Sequence, residues 1–159
     1  TKWAFQNEMD ENTLPEIQRT NLANVVLLLK SVGIHDLLNF DFLDPPPTDT
    51  LIRSLELLYA LGALNDRGEL TKLGRRMAEF PVDPMMSKAI LASEEYHCTE
   101  EVLSIVAMLS ESASLFFRPK DKKLHADRAK QLFIRPQGDH FTLLNIWEQW
   151  VESGYSQIF

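Results

Sequence analysis

The stretch Leu70–Leu91, LTKLGRRMAEFPVDPMMSKAIL, decides how the chain is divided. From Thr71 to Phe80 it sets Leu73, Met77 and Phe80 on one face at helical spacing. Pro81 and Pro84 then bracket Val82 and Asp83, so the backbone must leave helical geometry and can re-enter it at Met85. The stretch is expected to be a joint between two differently patterned halves.

Upstream, Asn21–Val32 reads as a largely apolar helix ended by Gly33. After a short apolar turn at Asp36–Phe42, Pro45, Pro46 and Pro47 stop any helix. Thr48 or Asp49 can cap the next one, which runs to about Leu61 with Leu51, Ile52, Leu55, Leu58 and Tyr59 on one face. Gly62 ends it. Asp66-Arg67-Gly68, flanked by Leu64 and Leu70, is a tight-turn signal that predicts a small β-hairpin. Three helices and a hairpin in this order make a winged-helix module.

Downstream the pattern is all helical. Met85–Tyr96 is one helix; Thr99 caps the next, which runs to about Ser110 with Glu100 and Glu101 in its first turn. A loop through Phe116, Phe117, Arg118 and Pro119 leads to a basic helix over about Lys122–Phe133. Pro136-Gln137-Gly138 breaks the chain, and Asp139 caps a last helix carrying Phe141, Leu144, Ile146, Trp147 and Trp150. This half reads as a four-helix bundle. The expected fold class is mainly α: a winged-helix module with a small β-hairpin, followed by a helical bundle.

The 159 residues, 45% hydrophobic and 25% charged, suit a soluble globular protein of one domain or two small units. No apolar run is long enough to span a bilayer and no signal peptide is visible. Thr1 in place of an initiator methionine points to a fragment or trimmed chain. Cys98 is the sole cysteine, which excludes an internal disulfide, suits the cytosol or nucleus, and fits a small buried hydrophobe.

Net charge is −7, against a free-standing nucleic-acid binder with a basic surface. The distribution is uneven, however. Arg118–Arg135 holds seven Lys or Arg against two Asp, while the remainder holds nine basic and 21 acidic side chains. A basic stripe thus sits on an acidic body.

No matched set of catalytic residues emerges. The six glycines are scattered, and none precedes Lys-Ser or Lys-Thr as a phosphate loop requires. His35, His97, His125 and His140 lack i, i+4 spacing, and no cysteine pair completes a zinc site. The chain alone is not expected to be catalytic. Leu115–Arg135 is the best binding candidate, because its Lys and Arg can neutralise phosphates. Phe116 and Phe117 either stack on bases or pack inward. His140, in the first turn of the last helix, is a further candidate for a phosphate contact. The predicted helix from Thr48 carries Arg53 against Asp49 and Glu56, a poor surface for duplex DNA. Its apolar surplus, with Leu57, Leu58, Tyr59 and Leu61, suggests burial against a neighbour instead.

PEIQRTNLANVVLLLKSVGIHDLLNFDFLDPPP, LTKLGRRMAEFPVDPMMSKAILAS, EEVLSIVAMLS, FFRPKDKKLHADRAK and GDHFTLLNIWEQW stand in unbroken order between Trp3 and Tyr155. Together they resemble the C-terminal region of DEAH-box RNA helicases, most closely the spliceosomal members that remodel pre-mRNA complexes. Gln137 is a local departure, since relatives commonly have Gly or Asp before Gly138. The resemblance implies residues 1–13 as a connection from a RecA-like domain, 14–80 as the winged-helix domain and 81–159 as the helical "ratchet" domain, with an OB-fold normally next. It implies that ATP and Mg are bound elsewhere in the full protein, so this chain should be inactive alone and should itself hold no cofactor or metal.

The resemblance further implies that the ratchet forms one wall of a single-stranded RNA channel, with Arg118, Lys120, Lys122 and Lys123 on phosphates and His140 and Ser110 as polar contacts at helix ends. Arg19 would fix the winged helix against the RecA unit. A G-patch activator would dock on the winged helix, other spliceosome components are implied partners, and the location would be nuclear. On this view Pro81 and Pro84 aim the basic stripe. The alternative is a protein-interaction module without direct RNA contact.

Overall fold

The structure, a computed structural model, describes residues 1–9, 12–116 and 118–156, with the backbone alone for 112–114. The helices are α1 (Lys2–Asn7), α2 (Glu16–Arg19), α3 (Ala23–Ser31), α4 (Thr48–Ala60), α5 (Lys72–Ala78), α6 (Pro84–Ser93), α7 (Thr99–Leu115), α8 (Lys123–Gln131) and α9 (Asp139–Glu152). The described residues are mainly helical. They fall into two compact units, Thr1–Lys88 and Ala89–Phe159, the division lying inside α6.

In the first unit α3 packs against both α4 and α5. Leu22, Val26, Leu27, Leu58 and Met77 form its fully buried centre. Gly33 and Gly62, expected as helix ends, have φ of 96° and 76°, the left-handed geometry that closes a helix C-terminus at little cost only for glycine. The buried face of α4 is Leu51, Ser54 and Leu58, whereas Ile52 and Tyr59, expected on it, are exposed. Ser54 needs no outside partner, because its hydroxyl donates to the Thr50 carbonyl at 2.8 Å.

The expected β-hairpin is corrected. Among the described residues no strand forms there; Leu64 and Leu70 make a single antiparallel bridge. The reason lies in where the neighbouring hydrogen bonds go. The Ala63 and Leu64 N–H groups both donate to the Leu58 carbonyl at the end of α4. On the other side, the Thr71 hydroxyl caps α5 by accepting from the Gly74 N–H at 3.0 Å. That hydroxyl also donates to the Gly62 carbonyl at 2.7 Å. Cross-turn bonds still run from the Asn65 N–H to the Glu69 carbonyl at 2.9 Å and from the Thr71 N–H to the Ala63 carbonyl at 3.0 Å. The helix ends take the Ala63 and Leu64 N–H groups and the Gly62 carbonyl, so the pairing stops at one bridge.

Three expected helix caps also lie one or two residues inside their helices. The cap positions are Pro47 for α4, Cys98 for α7 and Gly138 for α9, none with a side-chain cap bond. Gly138, at φ 121°, takes a conformation that Asp139 could not adopt cheaply. At the proline-marked joint, Pro84 opens α6 and the Asp83 carboxylate accepts the Met85 N–H at 2.9 Å.

In the second unit α7 packs along α9 around Met108, Leu143 and Ile146, with Leu109, Leu115, Phe133 and Trp147 against them. The expected bundle is looser than four equal helices, since α8 contributes no buried residue. Its sequence, KLHADRAKQ, has Leu124 as its one large apolar side chain, and that residue is exposed.

Candidate nucleic-acid interface

α8 owes its exposure to its polarity. The Lys120–Lys122 stretch just before it forms one 3-10 turn behind Pro119. Lys120, Lys122 and Lys123 are all exposed on this turn and at the start of α8, and Arg128 and Lys130 are exposed further along. Three lysines within four residues on a solvated turn place mobile ammonium groups where a polyanion can reach them.

Arg118 is differently placed. Its Nε and Nη2 donate to Asp127 Oδ1 and Oδ2 at 2.8 and 2.7 Å, a bidentate clasp between the loop and α8. The two hydrogen bonds hold the Asp127 carboxyl below its ordinary 3.8 and the Arg118 guanidinium above its ordinary range. The Arg118 side chain remains 56% exposed, so its guanidinium can meet a phosphate only while shared with Asp127. Lys130 Nζ stands 4.2 Å from the Phe116 ring centroid, a cation–π contact that occupies one face of that ring. Phe117 lies outside the described residues.

The other two candidates are apart from this cluster. Ser110 is not at a helix end: α7 continues to Leu115, and the Ser110 hydroxyl donates back to the Val106 carbonyl at 3.1 Å. His140 is exposed in the first turn of α9. Behind it, Arg135 Nη2 donates to Asn145 Oδ1 at 2.6 Å and Asn145 Nδ2 to the Phe133 carbonyl at 2.9 Å. Thr142 accepts the Arg135 N–H at 2.9 Å. This network, invisible in the sequence, buries Thr142 and Asn145 on the α9 face where apolar residues were expected, and leaves Phe141 exposed. Arg19, expected to brace the winged helix, donates to the Leu14 carbonyl at 3.3 Å.

Between α7, α8 and α9 lies a groove of about 950 Å³ whose walls include Met108, Leu132, Phe133, Trp147 and Trp150, with Arg118, Asp127 and Lys130 also on its lining. Sequence reasoning missed Asp127, because nothing in a nine-residue separation marks it as the partner of Arg118.

Among the described residues no group of three His, Cys, Asp or Glu is placed to hold a metal ion, and no helix is long and apolar enough to cross a membrane. Among the described residues the left-handed glycines stand singly, at turns and helix ends.

Residues 54–82 match the family described as helicase associated domain (HA2), winged-helix, and residues 83–143 match helicase associated domain (HA2), ratchet-like. The pre-mRNA-splicing factor ATP-dependent RNA helicase prp22 of Schizosaccharomyces pombe is 52% identical over 150 residues. That alignment takes in 94% of this chain but 13% of the relative, so the chain spans a small part of the relative's length. Two consecutive matches, in the order of the two helical units, and this identity along nearly the whole chain lead to one assignment. The chain belongs to the helicase associated domain (HA2) family, its winged-helix part followed by its ratchet-like part.

Proposed function

We propose that the chain is an accessory region of an ATP-dependent RNA helicase acting in pre-mRNA splicing in the nucleus, and that its basic turn grips the backbone of single-stranded RNA. Residues 1–13 serve as a connection, 14–80 as the winged-helix domain and 81–159 as the ratchet. ATP, with Mg, would be hydrolysed elsewhere in the full protein. The observation that carries the RNA reading is the exposed cluster Lys120, Lys122 and Lys123, which among the described residues has no carboxylate clasp of the kind that occupies Arg118. A few phosphate contacts on an acidic body give weak, sequence-independent affinity, of the order of 10⁻⁴ M at moderate salt. His140 and Ser110 are secondary contacts in this reading.

Fluorescence anisotropy of a labelled oligouridylate with the 159-residue chain tests it. Binding at low salt should be lost in the Lys120→Ala, Lys122→Ala, Lys123→Ala triple variant. Equal binding by the triple variant would refute the RNA wall.

A second reading has its own observation. Ile52 and Tyr59 lie exposed at i, i+7 on the outer face of α4, where an amphipathic partner such as a G-patch segment or another spliceosome component could dock. Tight, salt-insensitive binding of a G-patch peptide, abolished by Tyr59→Glu, would favour it.

A further inference from the structure

Lys30, near the end of α3, is the one buried charged side chain among the described residues, 6% exposed. Its Nζ donates to the Gly68 carbonyl at 2.8 Å and the His35 carbonyl at 3.3 Å. Two acceptors leave one ammonium proton for another ligand. No carboxylate pairs with it among the described residues, and burial pushes its pKa below the usual 10.5. A buried ammonium without a counter-charge is costly unless something supplies one.

The surroundings point to what does. Lys30 opens on a pocket of about 620 Å³ that Arg67, Glu69 and Arg75 also line. Arg75 is steadied there by a bond from Nη2 to the Leu70 carbonyl at 3.3 Å. Glu69, the carboxylate of the pocket, already accepts from Asn65 Nδ2 at 2.9 Å. Gly68, at φ 73°, keeps the turn tight, and a Cβ there would come to 4.0 Å from Lys30 Nζ and narrow the mouth. Three cations thus face one engaged carboxylate.

We propose that this pocket seats a phosphate-type oxyanion between Lys30 and the guanidinium groups of Arg67 and Arg75. Guanidinium forks match the paired oxygens of a tetrahedral oxyanion, and the ammonium supplies a point charge behind them. The seat belongs to the first unit and is independent of the basic turn on the second.

The test is an amide NMR titration of the 159-residue chain with inorganic phosphate, ionic strength held constant with sodium chloride. Saturable shifts are expected at His35, Arg67, Gly68 and Glu69. Arg67→Gln, an exposed substitution that leaves the fold intact, should weaken them about tenfold. Lys30→Met should abolish them. Should Lys30→Met fail to fold, Arg67→Gln alone decides. Competition by an oligouridylate would assign the phosphate to an RNA backbone, and its absence to a free or monoester phosphate. No saturable shift, or shifts confined to Lys120–Lys123 and unchanged by Arg67→Gln, would overturn the seat.

Discussion

Asp127 governs how much of the basic stripe is available, because its carboxylate takes both forks of Arg118. Asp127→Asn removes a negative charge beside the proposed RNA contact and loosens the hold on the guanidinium, so oligouridylate affinity at low salt should rise about three- to tenfold. The same clasp sets a pH signature. The folded Asp127 value lies below 3.8, so the pair's contribution is complete above that ordinary value and is lost as pH falls through the lowered one. A carboxyl-carbon NMR titration should find Asp127 titrating below 3.8 in the native chain and returning upward in Arg118→Gln. Gly74 is decisive for a different reason. A Cβ there would overlap the Ala63 carbonyl, backbone that cannot move aside, so Gly74→Ala should cost about 2 kcal/mol or more in chemical denaturation.

At the scale of elements, Thr71 joins two helix ends through one hydroxyl, accepting from α5 and donating to the carbonyls that trail α4. Thr71→Ala should lower stability by about 1–2 kcal/mol, with Thr71→Ser keeping most of it. The sequence foretold α5 and the glycine stops at Gly33 and Gly62 because the signals are local: an apolar period, a hydroxyl before it, a glycine after it. It failed where the deciding partner is distant. The buried stripe on α4 turns about Ser54, whose bond is internal, and that on α9 includes Asn145, whose partners are Arg135 and the Phe133 carbonyl. Periodicity says which residues share a face; it does not say what lies across from that face. The hairpin failed for a related reason, since turn chemistry at Asp66-Arg67-Gly68 was legible but the competing demands of two helix ends were not. Of the candidate site, the lysine turn was readable from charge alone, whereas the Asp127 clasp and the Lys130–Phe116 contact came only from the fold.

For the whole molecule, charge segregation matters more than the net value of −7. α8 buries nothing, so the cationic turn before it is free to meet a polyanion while the acidic remainder limits affinity. RNA binding of the proposed kind is electrostatic and dependent on salt, unlike the apolar docking of a protein segment. In the proposed function Lys120, Lys122 and Lys123 each neutralise a phosphate. The direct measurement is the slope of log affinity against log salt for an oligouridylate, in the native chain and in the triple alanine variant. Three contacts on a single strand correspond to a slope difference of about 2. A native slope steeper than the variant's by about that amount is predicted; parallel slopes would mean that these lysines neutralise no phosphate.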